Sequence, residues 1–273
     1  MSTTTERSDA IAGAGSGLTS IWRGLVTGIL SLLIVLVVWW GLLLVFDVSP
    51  YVGKGPIDVF EYLFTDPKSA ENLARLGGLL GETLVDAAIG FATGLALAIV
   101  IAALFMLSKG AEAALMPVAM LFRSVPLIAM APVLILIFGR QSATVAAMGA
   151  IVVLFPALVT IVSGLRSASP AMTDLVAVYG GGKRKTLRLV AYPSSLPSFF
   201  AAVRISIPGA ITGALLAEWL ATGQGLGYGI VSAIGRAKIN EVWADVVAIT
   251  LVSIVLYNLA LVVETLVLKR RIG

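Results

Sequence analysis

The stretch DLVAVYGGGKRKTLRLVAYPSSLP, residues 174–197, is basic, punctuated by glycine, and bounded on both sides by segments too apolar for water. Just ahead of it, Ser169-Pro170 predicts a helix start, with the serine as N-cap and the proline at the first helical position. Met172, Leu175, Val176 and Tyr179 then fall at i, i+3, i+4 and i+7, one apolar face of a short helix. Gly180, Gly181 and Gly182 end it, since glycine accepts positive φ and close backbone approach. A second short helix follows, with Leu187, Val190 and Ala191 on one side and Lys183, Arg184, Lys185 and Arg188 elsewhere; Pro193 is expected to stop it. The product is a helix–turn–helix bracket over residues 166–196, and whatever grips it can move the apolar segments on either side.

Those segments set the broad class. Hydrophobic residues make up 59% of the 273 and charged residues only 12%, with a mean hydropathy of +1.01. Soluble domains carry about 25% charged residues, so the chain is expected to be an integral membrane protein and is counted in spans. The net charge of +4 does not point to nucleic acid, because the basic residues fall where membrane topology wants them. Cysteine and histidine are both absent, which removes disulfides, thiolate chemistry and the commonest metal ligand and general base. No metal site and no catalytic residue is expected.

Uncharged runs place six spans: Gly24 to Phe46, Ala87 to Ser108, Ala113 to Gly139, Gln141 to Leu165, Pro197 to Ala221, and Val246 to Val263 with an extension toward Leu268. Pro126, Pro132, Pro156 and Pro208 lie in or near them and mark expected bends. Arg7, Arg23, Lys109, Arg166, the bracket cations and Lys269, Arg270 and Arg271 fall on one side. They outnumber Lys54, Lys68, Arg75, Arg140, Arg236 and Lys238 on the other, so both termini are expected in the cytoplasm. Residues 1–20 lack a secretory signal pattern and read as a disordered cytoplasmic tail ahead of a membrane domain, 21–273. Asp47 to Glu82 reads as an outer segment. Within it Ile57, Phe60, Leu63 and Phe64 have helical spacing, suiting either a helix on the outer leaflet or a buried loop helix.

The bracket resembles the cytoplasmic "EAA" loop of permease subunits of bacterial binding-protein-dependent ABC importers, whose pattern is Glu-Ala-Ala, three residues, Gly, nine residues, Ile, any residue, Leu-Pro. Asp174 takes the Glu position, Gly180 the Gly, Val190 the Ile and Pro193 the Pro, while Leu175 and Val176 replace the alanines and Tyr192 the leucine. Pro197, the run Arg123-Ser124-Val125-Pro126 leading to Ala131-Pro132 and Phe138-Gly139, and Glu218 followed by Gly225-Leu226-Gly227-Tyr228 are similar to the nitrate/sulfonate/taurine branch. The likeness covers roughly residues 75–270. It implies an all-α, polytopic type I importer permease with about six transmembrane helices in the bacterial inner membrane. It also implies a second permease copy, normally an identical one, separate ATPase subunits that bind ATP and Mg, and an external binding protein that delivers a small polar solute. The coupling role is carried over to Asp174, Leu175, Val176, Gly180, Gly181, Lys183, Val190 and Pro193.

This chain has no Gly-x-x-x-x-Gly-Lys-Ser/Thr phosphate loop; the Gly-rich stretch Gly223 to Gly229 lacks the lysine and reads as a turn on the outer side. Arg123, Arg204 and Glu218 lie inside expected spans, where each costs about 2.5–3.5 kcal/mol. The expectation is that Arg123 and Arg204 line the cytoplasmic half of the path and that Glu218 orders an outer gate loop; snorkelling to headgroups is the competing reading. An arginine pair would suit an anionic solute, although related permeases also carry neutral or cationic ones. Two rival functions stay open on the residues alone. An ion-coupled carrier would need no bracket and would show a repeat. A membrane-embedded enzyme would need paired catalytic groups, and no expected span holds two carboxylates.

Overall fold

The computed structural model describes residue 28 and residues 30–272. The expected tail, residues 1–20, and the start of the first apolar run lie outside the described residues. No strand occurs among those described, and the chain divides into two compact units between Asp66 and Pro67.

In the first unit α1 (Leu30–Val45) occupies the expected first span. α2 (Pro56–Phe60) starts on a proline, with the Gly55 N–H donating to the Asp58 carboxylate at 2.6 Å, and runs on into a π turn, Glu61–Thr65. Val59 and Leu63 are buried, whereas Ile57, Phe60 and Phe64 are exposed. The apolar spacing does form a helix there, but Leu63 turns inward with Val59 instead of joining the outer three.

The second unit opens with α3 (Ser69–Leu107), 39 residues long. Residues 69–82, expected in an outer segment, are its first turns. Charged residues end a hydropathy run without ending the backbone hydrogen bonding, so the helix begins well before its apolar stretch. The expected third span is two helices, α4 (Lys109–Ser124) and α5 (Leu127–Phe138). Pro126 has no N–H to give and forces Val125 into an extended conformation (φ −82°, ψ 123°), which breaks the helix there. α6 (Ser142–Arg166) follows, then α7 (Pro170–Val178) and α8 (Lys183–Thr186) of the bracket.

Pro193 does not stop the second bracket helix. α8 passes through a π turn, Leu187–Ala191, into α9 (Tyr192–Ala217), and a second π turn, Glu218–Thr222, completes an unbroken helical stretch, Lys183–Thr222. The first π turn shifts the hydrogen-bond register one residue ahead of Pro193, so the proline enters at the start of a new register, where its missing N–H is tolerated. The glycine run read as a turn is also mostly helix: Gly223 is left-handed, but α10 (Gly225–Gly235) begins two residues later. α11 (Ile239–Ile272) ends the chain. Among the described residues four stretches are long and apolar enough to cross a membrane: α3, α6, Lys183–Thr222 and α11; α1, α5 and α10 are shorter apolar helices.

The core of this unit lies where α3, α6 and α9 cross. Water cannot drive helices together inside lipid, so small residues that permit close packing carry the association. A Cβ on Gly149 of α6 would sit 2.5 Å from the Gly90 Cα of α3, and one on Gly213 of α9 would sit 2.8 Å from the Gly149 Cα. One glycine therefore touches the backbones of both neighbours. Toward the bracket Ala98, Ala102, Phe105, Leu158, Ile161 and Leu165 fill the space. Replacing Gly149 with alanine is expected to destabilise this crossing by about 1–3 kcal/mol or more. Gly81→Ala, where nothing lies within 4 Å, should be neutral or slightly stabilising. Thermal unfolding of both variants in detergent measures the difference.

Candidate functional site

Two regions hold the residues singled out from the sequence: the bracket and a cluster around Glu218. In the bracket α7 begins at Pro170, but the Ser169 hydroxyl makes no cap bond; the Ser169 carbonyl accepts from the Met172 and Thr173 N–H groups, 3.1 Å each. At the other end Gly180 is left-handed (φ +70°) and donates to the Ala177 carbonyl, while the Gly181 N–H donates to the Val176 carbonyl at 2.8 Å. A side chain on Gly181 would collide with Val176. Leu175, Val176, Gly180 and Gly181 thus form one tight helix end, with Asp174 exposed on its surface.

No residue of α7 is buried. Met172, Leu175, Val178 and Tyr179 are 50–84% exposed, so the helix turns an apolar face outward. The following turn does the opposite: Leu187, Val190 and Ala191 are buried in the bundle. Lys183 Nζ donates to the Leu107 carbonyl at the end of α3 (3.4 Å), where a cation meets the negative end of that helix. Pro193 is exposed. The bracket is anchored by its second half and free along its first.

At the opposite end of Lys183–Thr222, Glu218 is fully buried. Its Oε2 accepts from the Thr83 hydroxyl (3.0 Å) and the Gly227 N–H (2.7 Å). Thr83 Oγ1 in turn accepts from the Leu226 N–H (2.9 Å), and Glu82 Oε2 from the Gly225 N–H (2.8 Å). The first three N–H groups of α10, which no helix can pair internally, are therefore each taken by a side chain from α3 or by Glu218. This is why the glycine run is helical. Gly225 is left-handed (φ +72°), and any side chain there would strike the Glu218 carboxyl.

Two further charge pairs join helices of this unit. Arg204 Nη1 lies 3.2 Å from Glu264 Oε2 of α11, with the guanidinium over the Tyr257 ring at 5.9 Å. Arg75 grips buried Asp245 through two hydrogen bonds, 2.7 and 3.2 Å, joining α3 to α11. Arg123 sits in the last turn of α4, and its side chain lies outside the described residues. The structure brings Glu218 together with Glu82 and Thr83 but not with Arg204. Sequence reading missed Glu82 and Thr83 because they precede the apolar part of α3, and Glu264 because it lies in the extension of the expected sixth span, beyond its uncharged run Val246 to Val263. The available signal was spacing: Glu82, Asp86, Gly90 and Gly94 recur every four residues, one face of a helix. Among the described residues no group of three or more carboxylates could hold a metal ion.

A helical bundle with this many apolar crossings, charges used to join helices, and one uncovered bracket defines a polytopic membrane protein. The chain belongs to the family of binding-protein-dependent transport system inner membrane components, whose model matches residues 94–273. It is 34% identical over 149 residues to the formylaminopyrimidine transport permease protein ThiX of Halalkalibacterium halodurans, covering 55% of this chain and 60% of that one. It is 27% identical over 197 residues to the putative aliphatic sulfonates transport permease protein SsuC of Bacillus subtilis, covering 72% and 71%. The fold matches the crystal structure of an amino acid ABC transporter with histidines, with a TM-score of 0.51 at 16% identity over 76% of this chain and 98% of that one. The family, the permease fold and the non-enzymatic transport role expected from the motifs all stand, and the rival carrier and enzyme readings do not. ATPase and binding-protein partners come with the family.

Thr83→Val keeps the shape but removes both hydrogen bonds of the hydroxyl. It is expected to cost about 1–3 kcal/mol and to raise amide hydrogen exchange at Leu226 and Gly227 while leaving α6 unaffected.

Proposed function

We propose that two identical copies of this chain form the translocation path of an ABC importer, with both termini and the bracket on the cytoplasmic side. Each bracket docks in a cleft on a separate ATPase subunit, which binds ATP and Mg; Asp174, Leu175, Val176, Gly180, Gly181, Lys183, Val190 and Pro193 form or shape the docking element. An external binding protein delivers a small polar solute to the outer mouth. The named cargoes of the relatives, formylaminopyrimidine and aliphatic sulfonates, set its range as small and polar without favouring one charge.

The observation that carries this reading is the bracket's division of labour: an apolar face left open on α7, joined to a buried anchor that continues without a break into α9. Lys183–Thr222 is 40 residues long, roughly 60 Å at about 1.5 Å per residue. Force applied at the bracket therefore reaches Glu218 along one helix, and the Glu218–Thr83–Gly227 bonds pass it to α3 and α10. In this reading Glu218 governs the outer gate through α10, and Arg123 and Arg204 lie toward the cytoplasmic half.

Gly180→Glu places a charged side chain at a left-handed position on the docking surface. The assembled transporter should then lose most of the ATPase stimulation that loaded binding protein gives, while the variant chain still folds. Normal stimulation would show that the bracket is not the coupling element.

Arg204 needs a paired test because Glu264 depends on it. Arg204→Gln alone should sharply reduce uptake, since it leaves the half-buried Glu264 carboxylate without its cation in a bilayer, where a lone charge costs about 2.5–3.5 kcal/mol. The double variant Arg204→Gln/Glu264→Gln is expected to recover most uptake, as a strut between α9 and α11 requires. An arginine that meets the solute would leave the double variant inactive.

A further inference from the structure

A cavity of about 410 Å³ opens between α3, α6 and the start of α9, directly beside the bracket's anchor. Its walls are Ile99, Ile161, Leu196 and Phe199, with Arg188 and Tyr192 as the polar side chains at its edge. Ser195 also borders it, but its hydroxyl already donates to the Tyr192 carbonyl at 2.9 Å. The volume falls within the roughly 300–1,000 Å³ of small-molecule sites, and the composition is that of an amphiphile site: one cation above an apolar slot.

Three observations decide what fills it. Arg188 is exposed and pairs with no carboxylate among the described residues, unlike Arg166, which is bound to Glu112. Lys183, Arg184 and Lys185 precede it and add to the local positive field, with no acidic residue between Lys183 and Phe199. Ile161 lies five residues before Arg166 at the end of α6, about 7–8 Å into the bilayer at about 1.5 Å per residue. The slot therefore reaches acyl-chain depth, and the exposed Arg188 borders it from the bracket side, four residues before Tyr192. Basic pockets between helices on the cytoplasmic side suit anionic headgroups, because that leaflet carries the negative lipid.

We infer that this cavity holds one anionic phospholipid of the cytoplasmic leaflet, its phosphate on Arg188 and an acyl chain against Ile99, Ile161 and Phe199. The site touches Pro193 and the π turn that anchors the bracket, so the lipid braces the joint between the docking element and α9. The inference rests on the proposed orientation, with the bracket in the cytoplasm.

The test uses the complete transporter, this chain with its ATPase subunits, purified in mild detergent. It is titrated with phosphatidylglycerol or phosphatidylcholine, and bound lipid is counted by intact-complex mass spectrometry. The wild type should retain phosphatidylglycerol about fivefold better than phosphatidylcholine, the worth of one basic residue at an anionic surface. Arg188→Gln should erase that preference in a complex that still assembles. Leu196→Trp, which fills the slot, should reduce binding of both lipids, and excess inorganic phosphate should not displace the bound lipid. Equal phosphatidylglycerol binding by wild type and Arg188→Gln, or its displacement by phosphate alone, overturns the site. Because the chain has no cysteine, Arg184→Cys can be labelled with an impermeant maleimide to separate the two readings. Labelling from outside the cell removes the orientation and the lipid site together. Labelling from the cytoplasm without a lipid preference removes the lipid site alone.

Discussion

The close approach of Gly90, Gly149 and Gly213 is the constraint on which the bundle depends. Lipid offers no hydrophobic reward for bringing helices together, so α3, α6 and α9 associate only as tightly as their side chains permit. Where Gly149 meets both neighbours, even one methyl would push two backbones apart. Their contact sets the relative height of α3 and α9. That height puts Thr83 opposite Glu218 and lets Leu187, Val190 and Ala191 reach the core below.

From that crossing the two ends of the molecule acquire different characters. At one end the helix emerging from the core is held by buried aliphatic side chains and by Lys183 on the Leu107 carbonyl of α3, while α7 remains uncovered. At the other, α10 exists because Glu82, Thr83 and Glu218 take up its unpaired N–H groups. A single helical stretch joins both ends and carries a π turn at each. Such turns let a helix absorb an irregularity, Pro193 at one end and the approach to the left-handed Gly223 at the other, without losing continuity.

Charge within the membrane follows the same economy. An ionised side chain in a bilayer is tolerated when it is paired or hydrogen-bonded. Arg75 with Asp245 and Arg204 with Glu264 tie α11 to the bundle at two heights, which matters because most of that helix's large apolar side chains remain exposed. Glu218 pairs with no cation among the described residues; two hydrogen-bond donors serve instead. The charged groups thus act first as fasteners.

Much of this was legible in the residues alone. Composition fixed the membrane class, because an apolar excess of this size has no aqueous solution. The interval from Asp174 through Gly180 to Pro193 fixed the bracket, because helix length and a left-handed turn are local properties of the chain. What no local rule contains is partnership across helices. Glu82 reads only as the end of an outer segment, and Thr83 carries no signal, until α3 is seen to extend past its apolar run; Glu264 gains meaning only opposite Arg204. Pro193 and the Gly225–Gly229 run show the same limit from the other direction. Each carries a breaking signal by propensity, and each lies in helix because groups distant in sequence, or a register shift just upstream, satisfy the backbone there. Local hydrogen bonding and hydropathy are written residue by residue, whereas desolvation and pairing are decided only when separate segments meet.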